Sequence, residues 1–381
     1  MKQTINHKLL LLSSLIVLFS CNNDNSIINN KMSSRNITEL DVISNSIELT
    51  EEYLNNYYTQ TAFSNDGVDY MVAYNHKTHH IDLFNLTTKE KHTIQLHAEG
   101  QSAIPQRVDA LYANTPNTIW IYAMGSVYLL NNEGEIDKKY NLPVDEGEHI
   151  INNANYSNAT IKLDYNAESN TLRYVTVDMS DKSYFYINEF DLETETVKKT
   201  ELSYTEAEQG IGEKFGWMQH PNVTYRNNRV IYNFPFNSNV YTLNLDTQEM
   251  DSFGGKSKFT KNTTAETDLA SMDNWFRHTV ENVHFYEVNY DAHKDCYYRL
   301  HSEGVDFNSN VEMGELLKNK RLYLTIFDGD LNVINEFQLA KDKYPLSGGD
   351  VIESGLFLIN DSSEKEAEQY ELLEYDVVGG R

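Results

Sequence analysis

Two segments combine aromatic, basic and polar side chains in a way that is typical of recognition surfaces. Residues 210–221 carry Trp217 and His220, and residues 290–301 carry three tyrosines with Arg299. Arginine offers a planar fork that fits a carboxylate or the polar edge of a sugar, and aromatic residues with arginine dominate binding hot spots. We predict ligand binding by Trp217, His220, Lys256, Tyr298 and Arg299. The alternative is that the tyrosines pack between sheets, that Trp217 plugs the core and that Arg299 pairs with an acid.

The remaining candidate motifs favour plain structural interpretations. His79 and His80 are adjacent, so on a strand they would point to opposite faces, whereas zinc needs convergent ligands; we predict a solvated hairpin. Asp328 begins a calcium-like loop, but Val333 replaces the required glycine, so we predict a hairpin turn. The sequence also lacks the serine-hydrolase elbow, the zinc-protease helix, the phosphate-binding loop and the Cys-x-x-Cys pair. We predict no catalytic residue, metal or cofactor.

The first twenty-one residues have the features of an export signal. Lys2 and Lys8 precede a mostly apolar run over residues 9–19, which is too short to span a bilayer comfortably. Cys21 closes the segment in a sequence that resembles a bacterial lipobox, where the cysteine is lipidated. We predict a signal peptide over residues 1–20, a lipidated Cys21 with a flexible tether over residues 21–36, and one domain over residues 37–381.

The net charge of the chain excludes one class of partner. The chain has a formal net charge of −26, and removal of residues 1–20 with their two lysines would make it −28. Such a surface lacks the basic patch that nucleic acids need, so nucleic acid is excluded as a partner.

Cys21 and Cys296 are the only cysteines. With Cys21 lipidated, Cys296 would be a buried structural thiol, because no base stands beside it.

A repeating pattern of apolar strand and polar turn indicates a β-propeller. It is anchored at residues 84, 130, 190, 243, 327 and 373, with steps of 46, 60, 53, 84 and 46 residues; propeller blades take about 40–50. Tyr241, Leu243 and Leu245 share one strand face, and Leu322, Leu324 and Ile326 share another. We predict an all-β, six-bladed propeller with four-stranded antiparallel blades and short helical insertions at residues 264–278 and 311–318. Residues 37–49 should supply a strand that closes the ring.

Four short motifs carry a resemblance to a known family. They are the lipobox ending at Cys21, residues 256–259, the tyrosine-rich residues 290–299 and the terminal residues 354–359. The chain resembles six-bladed, TolB-like β-propeller lipoproteins of Bacteroidetes that form a domain of unknown function, over most of residues 37–377. The resemblance implies a propeller fold and a location in the cell envelope, and it implies no catalytic residues.

These observations lead to one functional hypothesis and two rivals. We expect a monomeric, lipid-anchored propeller, in the cell envelope and specifically the outer membrane, that binds a protein, peptide or glycan without catalysis. One rival is an envelope hydrolase or lyase with its active site at the funnel, and the other is a structural subunit that uses blade edges. Ionisable groups with perturbed pKa values that converge in a deep central pocket would favour the enzyme.

Overall fold

A computed structural model describes residues 27–48, 57, 59–100, 102–151, 161–180, 184–202, 215–267, 271–360 and 367–374. Cys21 and the signal segment therefore lie outside the described residues. Antiparallel strands dominate the described chain. The strands are β1 (Asp41–Glu48), β2 (Gln60–Asn65), β3 (Val68–Asn75), β4 (His80–Asn85), β5 (Lys91–Gln95), β6 (Ala110–Thr115), β7 (Thr118–Ala123), β8 (Ser126–Leu130), β9 (Ile136–Asn141), β10 (Glu148–Ile150), β11 (Asp164–Asn166), β12 (Thr171–Asp178), β13 (Phe185–Asp191), β14 (Val197–Leu202), β15 (Asn222–Arg226), β16 (Arg229–Asn233), β17 (Val240–Asn244), β18 (Met250–Phe253), β19 (His284–Asp291), β20 (Cys296–Ser302), β21 (Leu322–Asp328), β22 (Val333–Gln338), β23 (Asp350–Ile352), β24 (Gly355–Asn360) and β25 (Ala367–Glu374).

The strands form consecutive sheets arranged as a β-propeller. We name them the first (β2–β5), second (β6–β9), third (β10–β14), fourth (β15–β18) and fifth (β19–β22) sheets, and the closing sheet (β23–β25 with β1). Five have four strands, as predicted for every blade, but the third has five. The prediction of six four-stranded blades is therefore corrected to five four-stranded blades among the described residues. The reason is that two three-residue strands, β10 and β11, share one edge of the eight-residue strand β12.

The hydrophobic core is distributed over the gaps between neighbouring sheets. Tyr241 and Leu243, predicted to share a face, pack with side chains of the third sheet. Val240, on the opposite face of the same strand, packs against the fifth sheet. Leu322 and Leu324 lie in the gap between the fifth and closing sheets. Because both faces of inner strands such as β17 and β21 are buried, the period-2 alternation specifies two interfaces at once.

The ring is closed by pairing of the two ends of the described chain. Strand β1 runs antiparallel to β25, with Asp41 opposite Glu374 and Glu48 opposite Ala367. Ile47 of β1 is buried in the cluster that joins the closing sheet to the first. This arrangement confirms the predicted closing strand, which covers the edge of β25 and itself forms the outer edge of the closing sheet.

The predicted tether is not free over its described part. Ile27 is buried, the Ile28 N–H donates to the Asn239 side chain at 2.9 Å, and Asn30 Nδ2 donates to the Lys256 carbonyl at 3.0 Å. Further along, Arg35 donates to two carbonyls of the β19–β20 turn. Residues 27–36 therefore lie against the fourth and fifth sheets and satisfy polar groups there.

Two short helices interrupt the strands. Helix α1 (Met272–Glu281) begins after Ser271, whose side chain caps the Asn274 N–H at 3.2 Å, so it starts later than the predicted residue 264. Helix α2 (Met313–Lys318) falls inside the predicted residues 311–318. No helix among the described residues is long and apolar enough to cross a membrane.

Candidate functional site

Arg299 lies wholly inside the protein. Its two terminal nitrogens donate to the carbonyls of Ser238, at 2.9 Å, and Gly255, at 2.6 Å, and its guanidinium stacks 4.6 Å from the ring centre of Phe285. Burial lowers its pKa to about 9, against the attraction of Glu336. Arg299 therefore does not reach the protein surface. The alternative of an acid partner is only partly right, because its hydrogen-bond partners are main-chain carbonyls.

The other four predicted ligand-binding residues are dispersed. Tyr298 is buried between the fifth and closing sheets. Lys256 is half-buried and donates through Nζ to the Asn29 side chain at 3.0 Å. His220 is half-buried and packs edge-on against Phe185. Trp217 belongs to a short 3₁₀ helix, Gly216–Gln219, and its side chain lies outside the described part of the structure. Lys256 lies close to Arg299 through the adjacent Gly255, and Tyr298, the neighbour of Arg299 on β20, lies on the opposite face of that strand.

The histidine hairpin, the Asp328 turn and Cys296 are structural features. His79 and His80 are buried, not solvated as predicted, because His79 bonds the Tyr74 hydroxyl at 2.9 Å and His80 contacts Asp82 at 2.9 Å. Asp328 accepts hydrogen bonds within the predicted β21–β22 hairpin turn. Cys296 is buried as predicted, and burial raises the pKa of its thiol to about 11.

A polar cavity of about 220 Å³ lies where the first strands of the sheets converge. Strand alternation places one or two side chains of each strand on this inner surface. Phe357 and Ile359 of β24 contribute an apolar side. Of the four predicted residues whose side chains are described, none lines the cavity. Its polar wall includes Gln60, Tyr112, Lys162, Asp164, Thr224, Tyr225, Glu287 and Asp350.

Glu287 reaches the cavity through a local irregularity in β19. The β19–β20 register shifts between Phe285 and Val288, so two residues of β19 face one of β20. Such a bulge re-aims a side chain. Glu287 is 6% exposed, and a Cβ added at Gly348 would come within 2.2 Å of its carboxyl carbon. Glycine at position 348 is thus required for Glu287 to occupy this position.

Four buried polar atoms of the cavity wall have no hydrogen-bond partner among the described residues. They are Gln60 Oε1, Thr224 Oγ1, Tyr225 Oη and Glu287 Oε2. Buried polar groups in proteins are nearly always hydrogen-bonded, and leaving one unpaired costs about 1–3 kcal/mol. Groups of this kind are expected where a ligand or ordered water supplies the missing bond.

The two aspartates of the cavity are held by protein groups. Asp164 lies 3.6 Å from Arg173, and Asp350 accepts hydrogen bonds from the Ala62 N–H at 3.1 Å and the Thr61 hydroxyl at 3.4 Å. Burial raises the pKa of Asp164 to about 6, although Arg173 and Lys162 oppose the rise. Burial also raises the pKa of Asp350 to about 6; Lys162 opposes this rise and Glu287 adds to it.

Sequence reasoning missed these residues because the cavity is assembled from strands far apart in the chain. One local signal existed: Glu287 is an acid within the otherwise aromatic and apolar run Phe285–Val288. In the described part of the chain, no group of three His, Cys, Asp or Glu is placed to hold a metal ion. The arrangement can bind a small polar molecule through carboxylate, hydroxyl and amide oxygens.

Two solved structures similar to this chain come from Bacteroides species. A member of the DUF4221 family from Bacteroides vulgatus is 16% identical with a TM-score of 0.68, covering 89% of this chain and 99% of that one. A protein from Bacteroides fragilis that is named as exported is 11% identical with a TM-score of 0.50, covering 91% and 98%. These likenesses support the fold alone. A search of curated proteins found no match. The model of a domain of unknown function, DUF4221, matches residues 22–338, and the chain therefore belongs to the DUF4221 family.

Proposed function

We propose that the protein is a lipid-anchored propeller of the cell envelope that binds a small polar ligand, or one unit of a larger peptide or glycan, in its central cavity. The observation that carries this proposal is the set of four buried polar atoms without a partner among the described residues. A cavity of about 220 Å³ accepts a sugar unit or a side chain but not a folded protein. The name of the Bacteroides fragilis relative is consistent with export to the envelope.

Catalysis is the second candidate, because Asp164 and Asp350 meet the criterion of raised pKa values in a central pocket. Binding is favoured over hydrolysis for a structural reason. Both aspartates are already held by protein partners that join strands or neighbouring sheets, namely Arg173 for Asp164 and the Ala62 N–H for Asp350. Burial is therefore the main cause of their raised pKa values, and these partners oppose the rise. Turnover of a glycan by the wild type, abolished by Asp350→Asn, would establish the enzyme instead.

The binding proposal is tested by removing cavity hydroxyls while keeping their shape. Thr224→Val with Tyr225→Phe deletes two hydroxyls that have no partner among the described residues, so we expect an unchanged or slightly raised melting temperature. The control, Tyr323→Phe, deletes a hydroxyl that donates to Glu303 at 2.8 Å in the fifth sheet and should lower stability instead.

Ligand capture is then compared by native mass spectrometry of the three proteins purified from their own cells. We expect a bound small molecule with the wild type and with Tyr323→Phe, and its loss from the double variant. Equal capture by all three proteins would place the ligand outside the cavity and overturn the proposal.

The anchor is tested separately. Cys21→Ala should move the protein from the membrane fraction to the soluble fraction, because lipid chains supply the hold on the bilayer. Detergent partitioning of wild type and variant measures the change. A wild type found wholly in the soluble fraction would show that the protein is secreted without an anchor.

A further inference from the structure

The carboxylate of Glu287 is the most unusual group in the cavity. It is more than nine-tenths buried, its Oε2 atom has no hydrogen-bond partner among the described residues, and the bulge in β19 turns it toward the cavity. An ionised carboxylate removed from water is costly unless it is paired. A group that satisfies it from within the cavity must donate a hydrogen bond.

The charges of the cavity wall point to the sign of that group. Three carboxylates, Glu287, Asp350 and Asp164, line the cavity with one ammonium, Lys162. Arg173 contacts Asp164, and Lys162 is shared electrostatically between Asp164 and Asp350. Glu287 is left without an ion-pair partner among the described residues, so the wall favours a positively charged occupant.

The hydrogen-bonding capacity of the wall points the same way. Gln60 Oε1 and Glu287 Oε2 can only accept, and the hydroxyls of Thr224 and Tyr225 can also accept. A protonated amine offers three donors and no acceptor. The volume of about 220 Å³ is several times the space of about 30 Å³ that one water occupies, which suits an organic cation.

We propose that the ligand of the central cavity carries a protonated amine, which the Glu287 carboxylate binds. This inference rests on the proposed binding function and specifies its ligand class. Gly348 permits the interaction, because any side chain at that position would displace the carboxylate. The hydroxyl groups of the wall would contact the rest of the ligand.

The test uses matched pairs of probes that differ in the amine: D-glucosamine with D-glucose, 1,4-diaminobutane with 1,4-butanediol, and ethanolamine with ethylene glycol. Binding to the full chain is measured by calorimetry at neutral pH. We expect at least one amine to bind the wild type about tenfold or more tightly than its neutral partner, as a charge-assisted hydrogen bond would provide.

Three variants locate the effect. Glu287→Gln should abolish the preference for the amine, and Gly348→Ala should weaken amine binding by displacing the carboxylate without deleting it. Glu336→Gln is the matched control, because this buried acid lies outside the cavity and accepts a hydrogen bond from the Lys258 N–H at 2.8 Å, and it should keep the preference. Full preference in both Glu287→Gln and Gly348→Ala would overturn the inference.

The outcomes separate this inference from the proposed function. Neutral probes that bind as tightly as their amines, with affinity lost in the Thr224→Val, Tyr225→Phe protein, would overturn the amine assignment and leave the binding function intact. A wild type that binds neither member of any pair would overturn the amine assignment, and the proposed function would then depend on the mass spectrometric result alone.

Discussion

Arg299 and Glu287 are buried charges on neighbouring strands, and their surroundings differ. Arg299 on β20 donates to two carbonyls, stacks on Phe285 and fills the gap between the fourth and fifth sheets. Its Nε atom also has no hydrogen-bond partner among the described residues, but Arg299 does not line the cavity. Glu287 on β19 faces the central cavity with one oxygen that no described residue satisfies. The comparison shows that burial of a charge does not identify a functional residue. An unmet hydrogen-bond requirement beside a cavity is the more informative feature.

Substitution of Arg299 should have the largest effect on stability. Arg299→Met should lower the free energy of unfolding by about 3 kcal/mol, because two carbonyls lose charge-assisted donors inside the protein. Urea denaturation measures the change. Arg229→Met is the control, since Arg229 is partly exposed and donates to Thr242 at 3.0 Å; it should cost about 1 kcal/mol or less. An Arg299→Met protein of wild-type stability that loses its ligand would reverse the comparison.

The N-terminal segment should support the Arg299 environment. Ile28 and Asn30 bond to Asn239 and Lys256, which directly follow Ser238 and Gly255, the two residues whose carbonyls receive Arg299. Deletion of residues 22–36 should therefore cost about 2 kcal/mol from lost burial and hydrogen bonds. Deletion of residues 22–26 is the control, because it leaves Ile27 and the following residues in place. Equal urea midpoints for the two truncations would show that the contacts contribute little to stability.

The two cavity aspartates should have a smaller effect, on how the stability of the protein depends on pH. Asp164 and Asp350 have a folded-state pKa of about 6, above the unfolded value of about 3.9. The folded state therefore binds more protons between these values, and the two acids add stability at low pH that is lost as the pH rises through about 6. Wild type should gain more stability between pH 7 and pH 5 than the Asp164→Asn, Asp350→Asn protein. Melting temperatures that change equally with pH in the two proteins would contradict the raised pKa values.

The fold was largely predictable because its core depends on local alternation. Tyr241 and Leu243 could be assigned to one face from the sequence, and each face packs against a neighbouring sheet. The closing strand followed from the same pattern. The fifth strand of the third sheet could not be predicted, because strands β10 and β11 have three residues each and no periodicity.

The cavity was not predictable for a different physical reason. Glu287 acquires its position from a bulge, from the missing side chain of Gly348 and from strands that lie more than 100 residues away in the chain. Arg299 was selected because its residue type suits recognition, yet the same planar fork also suits two main-chain carbonyls. Residue type alone could not separate these roles.

The most direct test of the central claim is the urea unfolding midpoint of Glu287→Gln, measured without added ligand. If Glu287 serves a ligand, removal of its buried charge should leave the midpoint unchanged or raise it, in contrast to the fall expected for Arg299→Met. A fall as large as that of Arg299→Met would show that Glu287 supports the fold, and it would contradict the assignment of the cavity as the binding site.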